Sequence, residues 1–177
     1  NEKEEKAITG RIMSIESDGT IRVKLDKKTD GTYAWDDRYN ENRGYNDGYN
    51  IFEKSRLKDT LKQLETEDKE NIDTLILSSK VKSKLVSKKL CIGTRTESDT
   101  TKDGSSECSV LSTDTYLFSL MAPYEYMRAS MDDNCKNLTD LSCSNYNYLS
   151  DYNQSSEWLL TATNQNDYKA FAFNGTD

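Results

Sequence analysis

Four cysteines set the strongest constraint on what this 177-residue chain can fold into: Cys91, Cys108, Cys135 and Cys143. They bracket two polar stretches, "IGTRTESDTTKDGSSE" and "KNLTDLS", which are rich in Ser, Thr, Asp and Lys and carry little that packing could hold. No two cysteines form a C-x-x-C pair, so zinc ribbons and thioredoxin-like redox motifs fit poorly. Four cysteines allow three pairings, and the sequential one, Cys91–Cys108 with Cys135–Cys143, closes both polar loops. A crosslink around about fifteen residues stabilises by about 3 kcal/mol, through restriction of the unfolded chain. The expectation is a disulfide-stapled domain in an oxidising, extracytoplasmic compartment, set against four free cytosolic thiols.

Hydrophobic residues make up 34% of the chain, so any core must be economical. Tyrosine outnumbers Phe and Trp together, 11 against 4 and 2, and buries a ring while leaving its hydroxyl wet. Net charge is −7, and the main basic run, Lys80 to Lys89, alternates with Val and Leu as the solvated side of an element would. Nucleic acid is therefore not an expected partner. Histidine is absent, which removes His-based triads and leaves carboxylates, Tyr, Lys or Cys to any enzyme. No apolar run is long enough to span a bilayer.

Along the chain, residues 1–7 read as a charged arm or linker stub and residues 8–177 as a single α+β extracellular domain. "ITGRIMSIESDGTIRVKLDKK" predicts a hairpin turned by "SDGT", with Ile21, Val23 and Leu25 on the buried face. In "SRLKDTLKQLETED", Leu57, Leu61 and Leu64 share one helical face behind an N-cap at Ser55. The segment through "KLVSKKLCIG" ends in a strand, and "TYLFSLM" reads as another. Pro123 then opens a second short helix, "PYEYMRASM". "EWLLTAT" and "YKAFAFN" form a closing hairpin around "NQND", with Trp158, Leu160 and Ala162 on one face. Hairpins of antiparallel strands with two short helices make an α+β fold.

The stretch "WDDRYNENRGYNDGYN" is the densest in carboxylate, amide and aromatic groups. Expected contact residues for a partner are Trp35, Asp36, Asp37, Tyr39, Tyr45 and Tyr49. Asp36, Asp37 and Asp47 are lesser candidates for calcium; an EF-hand register ending at Glu53 fails, because it puts Asp47 where glycine is required. Asp132 and Asp133 read as the solvated end of a helix. Trp158 shares a strand face with Leu160 and is expected in the core, which leaves Trp35 as the exposed aromatic.

The order of "GRIMSIESDGTIRVKL", "GTYAWDDRYNENRGYNDGYN", "KLCIG", "LMAPYEYMRAS", "CSNYNYLS" and "EWLLTAT" resembles a family of secreted or surface-anchored domains of Gram-positive gut Firmicutes. The resemblance implies a C-type-lectin-like or formylglycine-generating-enzyme-like α+β scaffold and a further strand beyond Asp177. Calcium-dependent lectin signatures are missing, and the catalytic cysteine arrangement is not evident. Cofactors are thus expected to be none, with Ca2+ the lesser alternative. The leading expectation is a non-enzymatic binding module for a protein or glycan at the bacterial cell surface, or secreted. The alternatives are a pilin-like filament subunit, self-associating and anchored through a segment upstream of Asn1, and a carboxylate/Tyr-based enzyme.

Overall fold

The structure is a computed structural model that describes residues 9–26, 32–65, 79–150 and 156–174. The charged arm (1–7), residues 66–78 and the last three residues lie outside the described residues. It is a small α+β fold with three antiparallel strand pairs and two disulfides. The pairs are β1 (Gly10–Ile15) with β2 (Ile21–Leu25), β3 (Lys88–Cys91) with β4 (Leu111–Tyr116), and β5 (Ser156–Ala162) with β6 (Ala170–Asn174). Among the described residues three short α-helices complete it: α1 (Arg56–Glu65), α2 (Ser79–Lys82) and α3 (Pro123–Ala129). Among the described residues no helix is long and apolar enough to cross a membrane.

Both expected helices form for the expected reasons. The Lys58 N–H donates to Ser55 Oγ at 3.3 Å, which caps α1, and Leu57 and Leu61 are buried one turn apart. Pro123 stands at the start of α3, where Glu125 reaches back to accept the Ala122 N–H at 2.8 Å. The cysteines pair sequentially, 91 with 108 and 135 with 143.

The interior has two parts. Met121, Tyr126, Met127, Leu149, Leu159 and Phe171 gather around the Cys135–Cys143 disulfide. Trp35, Phe52, Leu57, Leu61, Leu90, Tyr116 and Leu160 form the second cluster. Strand β5 serves both, with Leu159 in the first cluster and Leu160 in the second, and its pairing with β6 shifts register between Trp158 and Ala162. Consecutive strand residues point to opposite faces, so Leu159 and Leu160 bury on opposite sides. Trp158 meets Trp35 of Leu160's cluster but, against expectation, keeps much of its ring exposed.

Two further expectations are corrected. Strand β4 runs over Leu111–Tyr116 rather than "TYLFSLM", since Cys91 pairs in register with Leu111 directly after the Cys108 crosslink. The first hairpin forms with its "SDGT" turn, Gly19 taking a φ of 81°, but its faces are reversed. Ile12, Ile15, Ile21 and Val23 point outward, and Ile15 is 71% exposed. The polar face docks instead. Arg22 pairs with Glu125 at 3.2 Å, Lys24 with Glu157 at 3.0 Å, and Arg11 donates to the Tyr148 carbonyl at 2.8 Å.

The loop closed by Cys91–Cys108 is not merely polar filler. Arg95 and Glu107 are both fully buried and meet at 2.8 Å. Arg95 also donates to the carbonyls of Asp99 and Thr101, at 2.8 and 2.7 Å, so the loop winds around its guanidinium. Glu107 accepts the Tyr124 N–H at 3.2 Å and ties the loop to the start of α3.

Candidate functional site

The Tyr- and Asn-rich loop is organised from within by Asp36. Its Oδ2 accepts the Tyr49 N–H at 3.0 Å, while Oδ1 accepts from Arg38 Nε at 2.8 Å and the Arg56 N–H at 3.4 Å. Gly48 has a φ of 70°, and a Cβ there would stand 2.3 Å from the Asp36 carbonyl oxygen. Only glycine closes the loop so tightly. Buried Asn40 donates to the Gly48 carbonyl at 2.7 Å and completes the inner frame.

This frame is pinned to the β5–β6 turn. The Asn50 side-chain amide donates to the carbonyls of Asn166 and Lys169, at 2.7 and 2.8 Å, and to that of Thr163 at 3.2 Å. Asn42 donates to Asp167 at 2.8 Å, a bond that lowers the Asp167 carboxyl below its ordinary value. The Arg43 guanidinium lies 3.7 Å over the Tyr168 ring, a close cation–π contact. Loop and turn thus form one rigid surface.

The expected contact residues divide. Tyr39 and Tyr45 are exposed on this surface, and Asp37 is exposed beside Arg56. Tyr49 is half-buried, its hydroxyl accepting the Glu41 N–H at 3.0 Å. Asp36 is buried as the loop's internal acceptor, and Trp35 is 5% exposed within the second core cluster. Neither is available to a partner. The carboxylates weighed for calcium are each taken by an arginine: Asp36 by Arg38, Asp37 by Arg56, Asp47 by Arg43. Asp132 accepts from the Asn134 N–H and the Asn145 amide. Among the described residues no group of three or more carboxylate or thiol side chains converges as a metal site would require.

The two tryptophans exchange their expected places. Trp158 is 39% exposed, and its indole N–H donates to the Tyr33 carbonyl at 2.9 Å. Its ring meets buried Trp35 edge to face, with centroids 6.2 Å apart. Beside it runs a shallow groove of about 330 Å3, lined by Trp158, Tyr168, Glu97, Lys169, Thr139 and Thr163 and floored by β6. The sequence carried one signal for this site. Trp158, Leu159 and Leu160 are three large apolar residues in a row, more than a one-sided strand can bury.

Titratable groups displaced by burial serve structural roles. Desolvation pushes the Tyr116 and Tyr124 hydroxyls up to about 12, far from acid–base duty near neutral pH. The Glu125 carboxyl is raised by burial, against the pull of Arg22, and its oxygens are engaged by Ala122 and Arg22.

Fold and site define a disulfide-stapled α+β domain with an aromatic groove beside a pinned tyrosine loop. Compared with protein-family models, curated proteins and solved structures, the chain matches none.

Proposed function

We propose that this chain is a non-enzymatic binding module that works outside the cell, secreted or on a bacterial surface. Its scaffold is read as C-type-lectin-like, and its contact surface is the Tyr39–Tyr49 loop together with the β5–β6 hairpin. One observation carries the reading. The Asn50 side chain, tied to three carbonyls of the β5–β6 turn, holds a loop with exposed Tyr39 and Tyr45 in a single pose. A pre-ordered tyrosine display loses little entropy on binding, and Tyr is enriched at contact surfaces. Two disulfides suit an oxidising compartment. The test is saturable binding of the disulfide-intact protein to a glycan array and to immobilised surface-protein fractions. Tyr39→Ser with Tyr45→Ser should weaken that binding at least tenfold without unfolding the domain. Absence of saturable binding to both classes, or indifference to the double substitution, overturns the reading.

A further inference from the structure

We infer that the groove along β5–β6 is a metal-independent subsite for a neutral saccharide, with the Trp158 ring as its platform. The inference rests on the binding-module reading and names its ligand class.

Trp158 is held in a way that leaves a ring face, not a polar edge, for a ligand. Its N–H is already given to the Tyr33 carbonyl, and its edge-to-face contact with Trp35 fixes its tilt. The C–H faces of a pyranose ring are apolar and faintly positive, which matches the negative face of an indole. Around the ring stand groups suited to sugar hydroxyls: Glu97 accepts, Lys169 donates, and Thr139 does either. One acid and one base in the lining favour a neutral ligand over a charged one.

A volume of about 330 Å3 lies at the low end of small-molecule pockets. The carboxylates weighed for calcium are committed to arginines, so recognition runs through stacking and hydrogen bonds alone.

The probes are neutral tetrasaccharides of glucose, galactose, mannose and N-acetylglucosamine, titrated into the disulfide-intact protein with tryptophan fluorescence as readout. Only two tryptophans report, and Trp158 is the exposed one. At least one tetrasaccharide should shift the emission saturably and protect it from acrylamide quenching, equally with and without EDTA. Trp158→Ala should weaken that sugar at least tenfold by calorimetry, and Trp158→Phe should recover part of the loss. Thr139→Val, at an exposed rim position, gives a second variant with a smaller loss, should the tryptophan substitution unfold the domain. No response to any tetrasaccharide at 10 mM (about a hundredfold above a 0.1 mM Kd) overturns the subsite. So does a response abolished by EDTA. Protein binding lost with Tyr39→Ser and Tyr45→Ser, alongside no response to any tetrasaccharide, would overturn the saccharide inference and leave the binding-module reading standing.

Discussion

Removing the buried arginine of the first disulfide loop should be among the most damaging single changes. Arg95→Met leaves the Glu107 carboxylate fully buried without its cation, since both partners are solvent-excluded. Breaking one side of such a pair costs about 3–5 kcal/mol. Part of that figure belongs to the Asp99 and Thr101 carbonyls, which lose their guanidinium donor at the same time. Glu107→Gln leaves the arginine only the Asp99 carboxylate at 3.6 Å but keeps an oxygen for the Tyr124 N–H, so it should cost about 2–3 kcal/mol. The double variant buries no charge and still satisfies Tyr124. The two loop carbonyls lose their donor and the new amide N–H2 at position 107 has no acceptor in place, yet about 2–3 kcal/mol in total is expected rather than the sum. The assay is urea unfolding with both disulfides intact. At a slope of about 2 kcal/mol/M, Arg95→Met should lower the midpoint by about 1.5–2.5 M. Additive costs, or a single-variant cost below about 1 kcal/mol, would refute a role for this ion pair in holding the loop.

Arg22→Met should cost about 2–3 kcal/mol at neutral pH, less than a fully buried pair because Arg22 is a quarter exposed. The Glu125 carboxyl is already raised, and loss of Arg22 raises it further. Stability contributed by a raised group is complete below its unfolded value and lost as pH rises through the folded one. The deficit of the variant should therefore shrink as pH falls towards and below 4.5, and a pH-independent deficit by urea unfolding would contradict this. Loop entropy assigns about 3 kcal/mol to the 17-residue Cys91–Cys108 closure and about 2.5 to the 8-residue Cys135–Cys143 closure. Yet Cys135→Ser with Cys143→Ser should cost the more in thermal unfolding, since both sulfurs are buried in the first core cluster. Gly48→Ala meets a left-handed φ and the Asp36 carbonyl at once. It should cost about 3 kcal/mol or more by denaturation and weaken binding through the tyrosine loop.

The features legible in the sequence were those with a local cause. Polar loops without packing residues demanded crosslinks, "SDGT" demanded a turn, and Ser55 and Pro123 marked helix starts. What escaped was decided by partners far along the chain. Alternation gives the first hairpin two faces, but nothing local says that Arg22 and Lys24 will find Glu125 and Glu157. The tryptophans exchanged places for a similar reason. Trp35 lies in a polar loop, yet the fold closes α1 and β5 over it, while Trp158 stands at the rim of the same cluster with much of its ring exposed. Of the loop residues singled out, Tyr39 and Tyr45 are displayed because the buried Asp36 and Asn50 amid them act as fasteners.

The reversed first hairpin has a consequence for motion. β1 and β2 are fastened to the body mainly by Arg11, Arg22 and Lys24, with Met13 packing on the first core cluster. Charge contacts weaken as salt rises, whereas the two core clusters and both crosslinks do not. The hairpin is then the part most ready to lift away as one piece while the remainder stays closed. Its amide protons should exchange ahead of those in β5, and the gap between the two should widen as salt is added.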